Sequence, residues 1–318
     1  MCSLTKIATS AFLAVTVSIA VVLAAHGHPG SGIVVDGDGQ VYFCHTAFCI
    51  WKIDAEGRLA RHKGPGNHWL ALDTEGGFVG QRWPRYREQM RPGVIRYGDA
   101  QIRPVGESPT LLCATSFPIT VGPDGHLYYP EAGTDERVHI KQLESGGQPA
   151  DFTTLPLAIE IAPDGKPGKA LWIHGLAAGP DGTLYYTEKE AVRRIDRKRT
   201  VSLVAENIQV PGCVHREDHR GGPILRGLDV TADGTIYAAA MACQAVLRVS
   251  QTGAIDVVLR SEESWTPTGV AVKGREVYVL EFWFAEPGQP KTWLPRVRKL
   301  SADGSVSVLG TVTEVPQS

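Results

Sequence analysis

The stretch IHGLAAGPDGTLYYTE (residues 173–188) has a histidine near its start and a glutamate fourteen residues further on, His174 and Glu188. The same two positions recur along the chain. Aligned copies place Ser31, His68, Phe117, Arg226 and Thr268 where His174 stands. They place His45, Arg82, Glu131, Ala240 and Glu281 where Glu188 stands, the last with a spacing one residue shorter. Neutral imidazoles and carboxylates converging on one spot are what a divalent metal such as Ca, Zn, Mg or Mn requires. The ligand set read this way is His68, His174, Glu131, Glu188 and Glu281. A metal there would polarise a substrate carbonyl or acidify a bound water. An unligated glutamate or histidine would then act as general base. The catalytic positions are His174, Glu188 and Arg226. Two readings stand for Arg226: a clamp for a substrate carboxylate, or an ion-pair partner of Glu188 or Glu281. A structural reading stands beside each glutamate as well, as a carboxylate at a strand end that serves the fold.

The elements that position these residues are short strands. The turns VDGDGQVYF, LDTEGGFVG, VGPDGHLYY, AGPDGTLYY, VTADGTIYA and VKGREVYVL each read as strand–turn–strand, with glycine supplying positive φ. Third and fourth strands follow, as in AVRRIDRKRTVSLV and RVRKLSADGSVSVLG. Six units begin near residues 31, 67, 116, 173, 225 and 267, a spacing that suits four-stranded blades. The expected fold is all-β: a six-bladed β-propeller of four-stranded antiparallel blades, one domain over 30–318. The first strand of each blade lines the central channel, and the second returns to the face where the first began. Both sets of aligned residues therefore belong to one face.

The segments PTGVAV, GLAAGPDGTLYYTE and PRVRKLSADGSVSVL resemble NHL-repeat propellers. They also resemble the wider six-bladed group that includes gluconolactonase-like hydrolases. GLAAGPDGTLYYTE is similar to the repeats of streptogramin lyases as well. The resemblance covers nearly the whole chain after its N-terminal segment and rests on blade residues. It implies a propeller and admits metal-dependent lactone or ester hydrolysis, or a lyase elimination. Ser31 stands where the gluconolactonase-like group has a glutamate, and Arg226 where amidating lyases would have a third histidine.

Two aromatic and arginine-rich loops, QRWPRYREQMRPG and EFWFAEPGQPKTWLPR, rise on the same face. With the channel mouth they give a candidate pocket of Arg82, Trp83, Phe117, Trp283 and Trp293 for a small-molecule substrate. Packing between loops is the alternative role for these aromatics. The same face suits a non-catalytic module that binds a protein, peptide or glycan.

The N-terminal segment has Lys6, an apolar run to about Ala25 and then small residues. Residues 1–25 read as a signal peptide, with an uncleaved anchor as the alternative. Secreted or periplasmic localisation follows, with no stable membrane span after cleavage. The net charge of −2 implies no broad basic surface for nucleic acid. Five cysteines follow the signal, and export permits disulfides. The expected pairs are Cys213 with Cys243 and Cys44 with Cys49, which leaves Cys113. Oligomeric state is not legible in the chain.

Overall fold

Apolar inner strands follow one another along the chain, each starting a sheet that packs its two faces against its neighbours. The computed structural model describes residues 29–78, 103–105, 110–115, 117–133, 135, 137–155, 159–161, 167–169, 173–213, 222–262, 264–284 and 293–314. The expected signal peptide lies outside them. Among them no helix is long and apolar enough to cross a membrane.

Sheet one comprises Ile33–Val35, Val41–His45, Cys49–Ile53 and Leu59–His62. Sheet two comprises Trp69–Asp73, Thr110–Ala114 and Arg103–Val105, in that spatial order. Sheet three comprises Thr120–Val121, Leu127–Ala132, Val138–Leu143 and Ala150–Leu155. Sheet four comprises Ile173–Ala178, Leu184–Glu188, Ala191–Ile195 and Val201–Ala205. Sheet five comprises Leu225–Val230, Ile236–Ala240, Ala245–Val249 and Ile255–Arg260. Sheet six comprises Trp265–Lys273, Glu276–Trp283, Pro295–Leu300 and Val306–Thr311. All pairings within these sheets are antiparallel. A separate hairpin pairs Ile159–Ile161 with Pro167–Lys169.

The architecture is a β-propeller with five complete four-stranded blades. Inner strands touch in sequence order, and the last, Trp265–Lys273, lies against the first, Ile33–Val35. An apolar cluster fills each sheet-to-sheet interface. Ala238 and Ala240 face sheet four, whereas Ala239 between them faces sheet six, as two-residue alternation requires. Ile33, Val41 and Phe43 of sheet one pack with Tyr278, Leu280 and Phe282 of sheet six, so apolar burial closes the ring. The turns follow their expected chemistry. Gly182 takes φ +80°, and the Asp181 carboxylate accepts the Thr183 amide at 3.0 Å.

Sheet two departs from the expected hairpin. LDTEGGFVG does not return a strand beside Trp69–Asp73; Thr110–Ala114 occupies that place, with Trp69 opposite Ala114. The Asp73 carboxylate instead accepts the amides of Gly77 (3.1 Å) and Phe78 (2.7 Å), which turns the chain away.

The cysteines divide. Cys213 and Cys243 form a disulfide. Cys44 and Cys49 do not, which corrects the second expected pair: both are buried thiols. Cys49 lies opposite His45, and Cys44 opposite Ile50. Cross-strand partners share a face and neighbours alternate, so the two thiols point to opposite sides of the sheet. Cys44 packs instead with Cys113 across the interface of sheets one and two.

Candidate functional site

The inner strands of sheets four, five and six share one irregularity. In sheet four, Ile173 pairs with Glu188 and Gly175 with Thr187, which leaves His174 as an extra residue. In sheet six, Pro267 pairs with Glu281 and Gly269 with Leu280, which leaves Thr268. In sheet five the register shifts between Leu225 and Leu228, across Arg226 and Gly227. Three of the six aligned mouth positions therefore sit on β-bulges. A bulge bends the strand and re-aims the extra side chain.

Glycines next to these residues let the strands converge. A Cβ on Gly175 would lie 2.6 Å from the Arg226 carbonyl oxygen, and one on Gly227 would lie 2.9 Å from Gly269 Cα. No side chain fits there. Hydrogen bonds then tie the mouth together across sheets. The Ser31 amide donates to the His68 carbonyl (2.8 Å), the Thr187 hydroxyl to the Arg226 carbonyl (2.8 Å), and the Thr268 hydroxyl to the Gly30 carbonyl (2.6 Å). Trp69 Nε1 donates to the His174 carbonyl at 3.2 Å, reaching past sheet three.

At the centre of this arrangement, Arg226 Nη1 lies 3.3 Å from His174 Nδ1. A guanidinium only donates, so Nδ1 is the acceptor and the neutral imidazole carries its proton on Nε2. Burial, and secondarily the Arg226 charge, pushes the His174 pKa down to about 3. His174 is neutral at ordinary pH and presents an N–H donor. Arg226 Nε lies 3.3 Å from Met241 Sδ, and burial lowers the guanidinium pKa to about 10. Met241 belongs to the short 3₁₀ turn Met241–Cys243, which the Cys213–Cys243 disulfide ties down. Among the described residues, Arg226 meets no carboxylate.

His68 has the opposite tautomer. Its Nδ1 lies 2.6 Å from the Thr115 carbonyl oxygen, an acceptor, so Nδ1 carries the proton and Nε2 the lone pair. Thr115 directly follows the second strand of sheet two, whereas Arg82 and Trp83 lie outside the described residues.

Each of the three glutamates lies beside a cation on the neighbouring third strand. Glu188 pairs with Arg193 at 2.7 Å, and Glu131 lies 3.8 Å from Lys141, which binds Asp151 more closely (2.6 Å). Glu281 is fully buried, bound to Arg296 (2.6 Å), Arg298 (3.4 Å) and the Ser261 hydroxyl (2.6 Å). Among the described residues, no three His, Cys, Asp or Glu side chains form a group able to hold a metal. The expected ligand set of His68, His174, Glu131, Glu188 and Glu281 is therefore not assembled. Third-strand cations neutralise the carboxylates, and the Arg226 charge beside His174 repels a second cation. The donor set does not fit a divalent ion. Glu188, expected as a catalytic group, serves the sheet through Arg193.

The expected pocket aromatics also go to packing. Phe117 is buried and stacks on Tyr129 at 5.2 Å. Trp293 meets Phe284 edge-on at 4.6 Å, against the core of sheets one and six. Trp283 stays partly exposed at the end of its strand, opposite Trp265.

No protein-family model and no curated protein matches the chain. Its fold is similar to that of a luciferin-regenerating enzyme at 15% identity and a TM-score of 0.51, covering 91% of this chain and 95% of that one. It is also similar to virginiamycin B lyase from Staphylococcus aureus (14% identity, TM-score 0.47, 90% and 85% covered). The calcium-binding protein regucalcin from Agrobacterium tumefaciens aligns at 14% identity and a TM-score of 0.47, over 79% and 81%. At such identities the likeness is one of fold, the β-propeller.

Proposed function

We propose that the chain is an exported enzyme, a hydrolase or lyase, that binds a small organic carbonyl compound or carboxylate at the channel mouth. The observation that carries this is the enclosed guanidinium of Arg226, which meets a neutral histidine and a thioether but no carboxylate among the described residues. A half-buried cation without an anion beside it is costly, and an incoming carboxylate or developing oxyanion offsets that cost.

In this reading His174 Nε2–H and Arg226 bind the substrate oxygen and stabilise it as negative charge develops. A neutral imidazole as electrophile suits that role. His68 is the base, its ring fixed by Nδ1–H on Thr115 so that Nε2 carries the lone pair. For an ester or lactone, Nε2 takes a proton from water as the oxygen attacks the carbonyl carbon. The oxyanion sits on Arg226 and His174. The C–O bond to the leaving alcohol then breaks, and the alkoxide takes the proton back from His68. For an elimination, Nε2 takes the proton from the carbon next to the carbonyl, and the electron pair expels the leaving group. No step passes through a metal.

The three-stranded second sheet is read as the sixth blade, making residues 30–318 one six-bladed domain. Residues 1–25 are read as the export signal, a reading supported by the disulfide between Cys213 and Cys243. The test is a screen of γ- and δ-lactones, simple esters and β-substituted carbonyl compounds with the signal-free chain, His68→Gln and Arg226→Met. Turnover by the wild type that falls at least about 100-fold in His68→Gln supports the reading. Turnover retained in both variants contradicts it.

A further inference from the structure

Four half-buried side chains form one continuous arc across the mouth: His68, Trp69, His174 and Arg226. The His68 and Trp69 rings lie 5.3 Å apart between centroids, tilted by 57°. Trp69 Nε1 donates to the His174 carbonyl at 3.2 Å, and His174 Nδ1 meets Arg226 Nη1 at 3.3 Å. Trp69 alone of the four takes no part in the chemistry above.

Its place follows from its neighbours. At sheet three the aligned mouth residue, Phe117, is buried and stacks on Tyr129. The inner strand of that sheet is only two residues long, Thr120–Val121. Trp69 spans the sheet instead, from sheet two to the His174 carbonyl of sheet four. The indole packs on the apolar cluster between sheets two and three, yet stays partly accessible. Its cross-strand partner is Ala114, whose methyl group cannot cover an indole. The N–H is the side chain's one polar group, and it is spent on His174. What Trp69 offers a ligand is therefore the accessible part of its ring.

A substrate whose oxygen sits on Arg226 and His174, and whose reacting atoms reach His68, lies along that ring, because Trp69 adjoins both histidines. An indole favours flat aromatic groups, which stack offset or meet it edge-on, over puckered aliphatic ones. We propose that Trp69 is a specificity-determining residue of the mouth, and that the substrate carries an aryl ring next to its carboxylate or ester carbonyl. This subsite rests on the anion-binding reading of Arg226 and His174.

The test uses the signal-free chain at pH 7.5 with three ionised carboxylates: propionate, benzoate and cyclohexanecarboxylate. The reporter is the Trp69 indole N–H in ¹H–¹⁵N spectra. The expected result is benzoate binding about fivefold tighter than cyclohexanecarboxylate, with a saturable shift of the Trp69 N–H. Trp69→Phe, which keeps a ring, should retain the preference, and Trp69→Leu should lose it. Should Trp69→Leu not fold, the wild-type comparison and the indole shift decide alone. Propionate that binds while the two ring acids bind equally, or a preference undiminished in Trp69→Leu, would overturn the role of Trp69 and leave the anion site standing. No binding of any of the three would overturn the anion site, and this proposal with it.

Discussion

Arg226 Nη1 lies 3.3 Å from His174 Nδ1, and each residue comes from a bulged stretch of an adjacent inner strand. The contact sets two charge states together: a guanidinium held without a carboxylate among the described residues, and an imidazole held neutral. Both belong to the same physical problem, a cation enclosed by protein and short of an anion. Three predictions concern this site and its supports, and one concerns Asp229, a carboxylate three residues after Arg226 on the same strand.

His174 should not titrate in the folded protein between pH 8 and 5, because burial and Arg226 hold its pKa near 3. Its unfolded value is 6.5, so below that pH the unfolded chain binds a proton that the folded chain refuses. Stability contributed by this group is therefore lost as pH falls from about 6.5 towards 3. His174→Gln should be less acid-sensitive than wild type, as read by urea midpoints at pH 7 and pH 4.5. Equal acid sensitivity would speak against the assigned environment.

Asp229 shifts the other way. Its pKa rises from 3.8 to about 6, so the folded state holds a proton longer than the unfolded one. Stability is therefore lost as pH rises from 3.8 to about 6. The melting temperature of Asp229→Asn minus that of wild type should be more positive at pH 7.5 than at pH 4. A difference independent of pH would contradict the buried-carboxylate account.

Glu281 is fully buried between Arg296 and Arg298, while Arg296 also stacks over Trp265 at 4.1 Å and reaches Glu262. Removing the carboxylate leaves two cations without their shared partner. Glu281→Gln should cost about 3–5 kcal/mol in denaturant unfolding. Glu131→Gln, whose carboxylate is 3.8 Å from Lys141 and partly exposed, should cost under about 1 kcal/mol. Similar costs would show that the two glutamates are not in different environments.

The Cys213–Cys243 disulfide joins residues 30 apart and anchors the turn that carries Met241 against Arg226. Chain-entropy reasoning gives it about 3–4 kcal/mol. Cys213→Ser/Cys243→Ser should lower stability by that order and weaken carboxylate binding at the mouth. Carboxylate affinity left unchanged in a folded double variant would detach the disulfide from the site.

The repeat alignment made the mouth residues legible. A glycine follows each of Ser31, His174, Arg226 and Thr268, and the structure shows that it permits the close convergence of the inner strands. The fate of the second set was not legible. Glu131, Glu188 and Glu281 look alike in one dimension, and their cations arrive from the third strand, where Lys141, Arg193 and Arg296 read as ordinary exposed residues. Arg82 was placed by counting through LDTEGGFVG, but Asp73 caps the chain there and TLLCA, at 110–114, supplies the paired strand. Its run of buried apolar residues was the missed signal. Asp229 had a signal too: GLDVT sets an acid where GLAAG and GVAVK keep small apolar residues. The spacing of Cys44 and Cys49 suggested a clip, yet one residue of register sends their thiols to opposite faces.

The most direct test of the central claim is a titration of the signal-free chain with sodium propionate, followed through the His174 imidazole by NMR in wild type and Arg226→Met. The account predicts saturable binding that shifts the His174 resonances and raises its pKa, because the bound anion offsets the Arg226 charge, with binding at least tenfold weaker in the variant. Propionate that leaves His174 unmoved, or binds Arg226→Met as well as wild type, would contradict it.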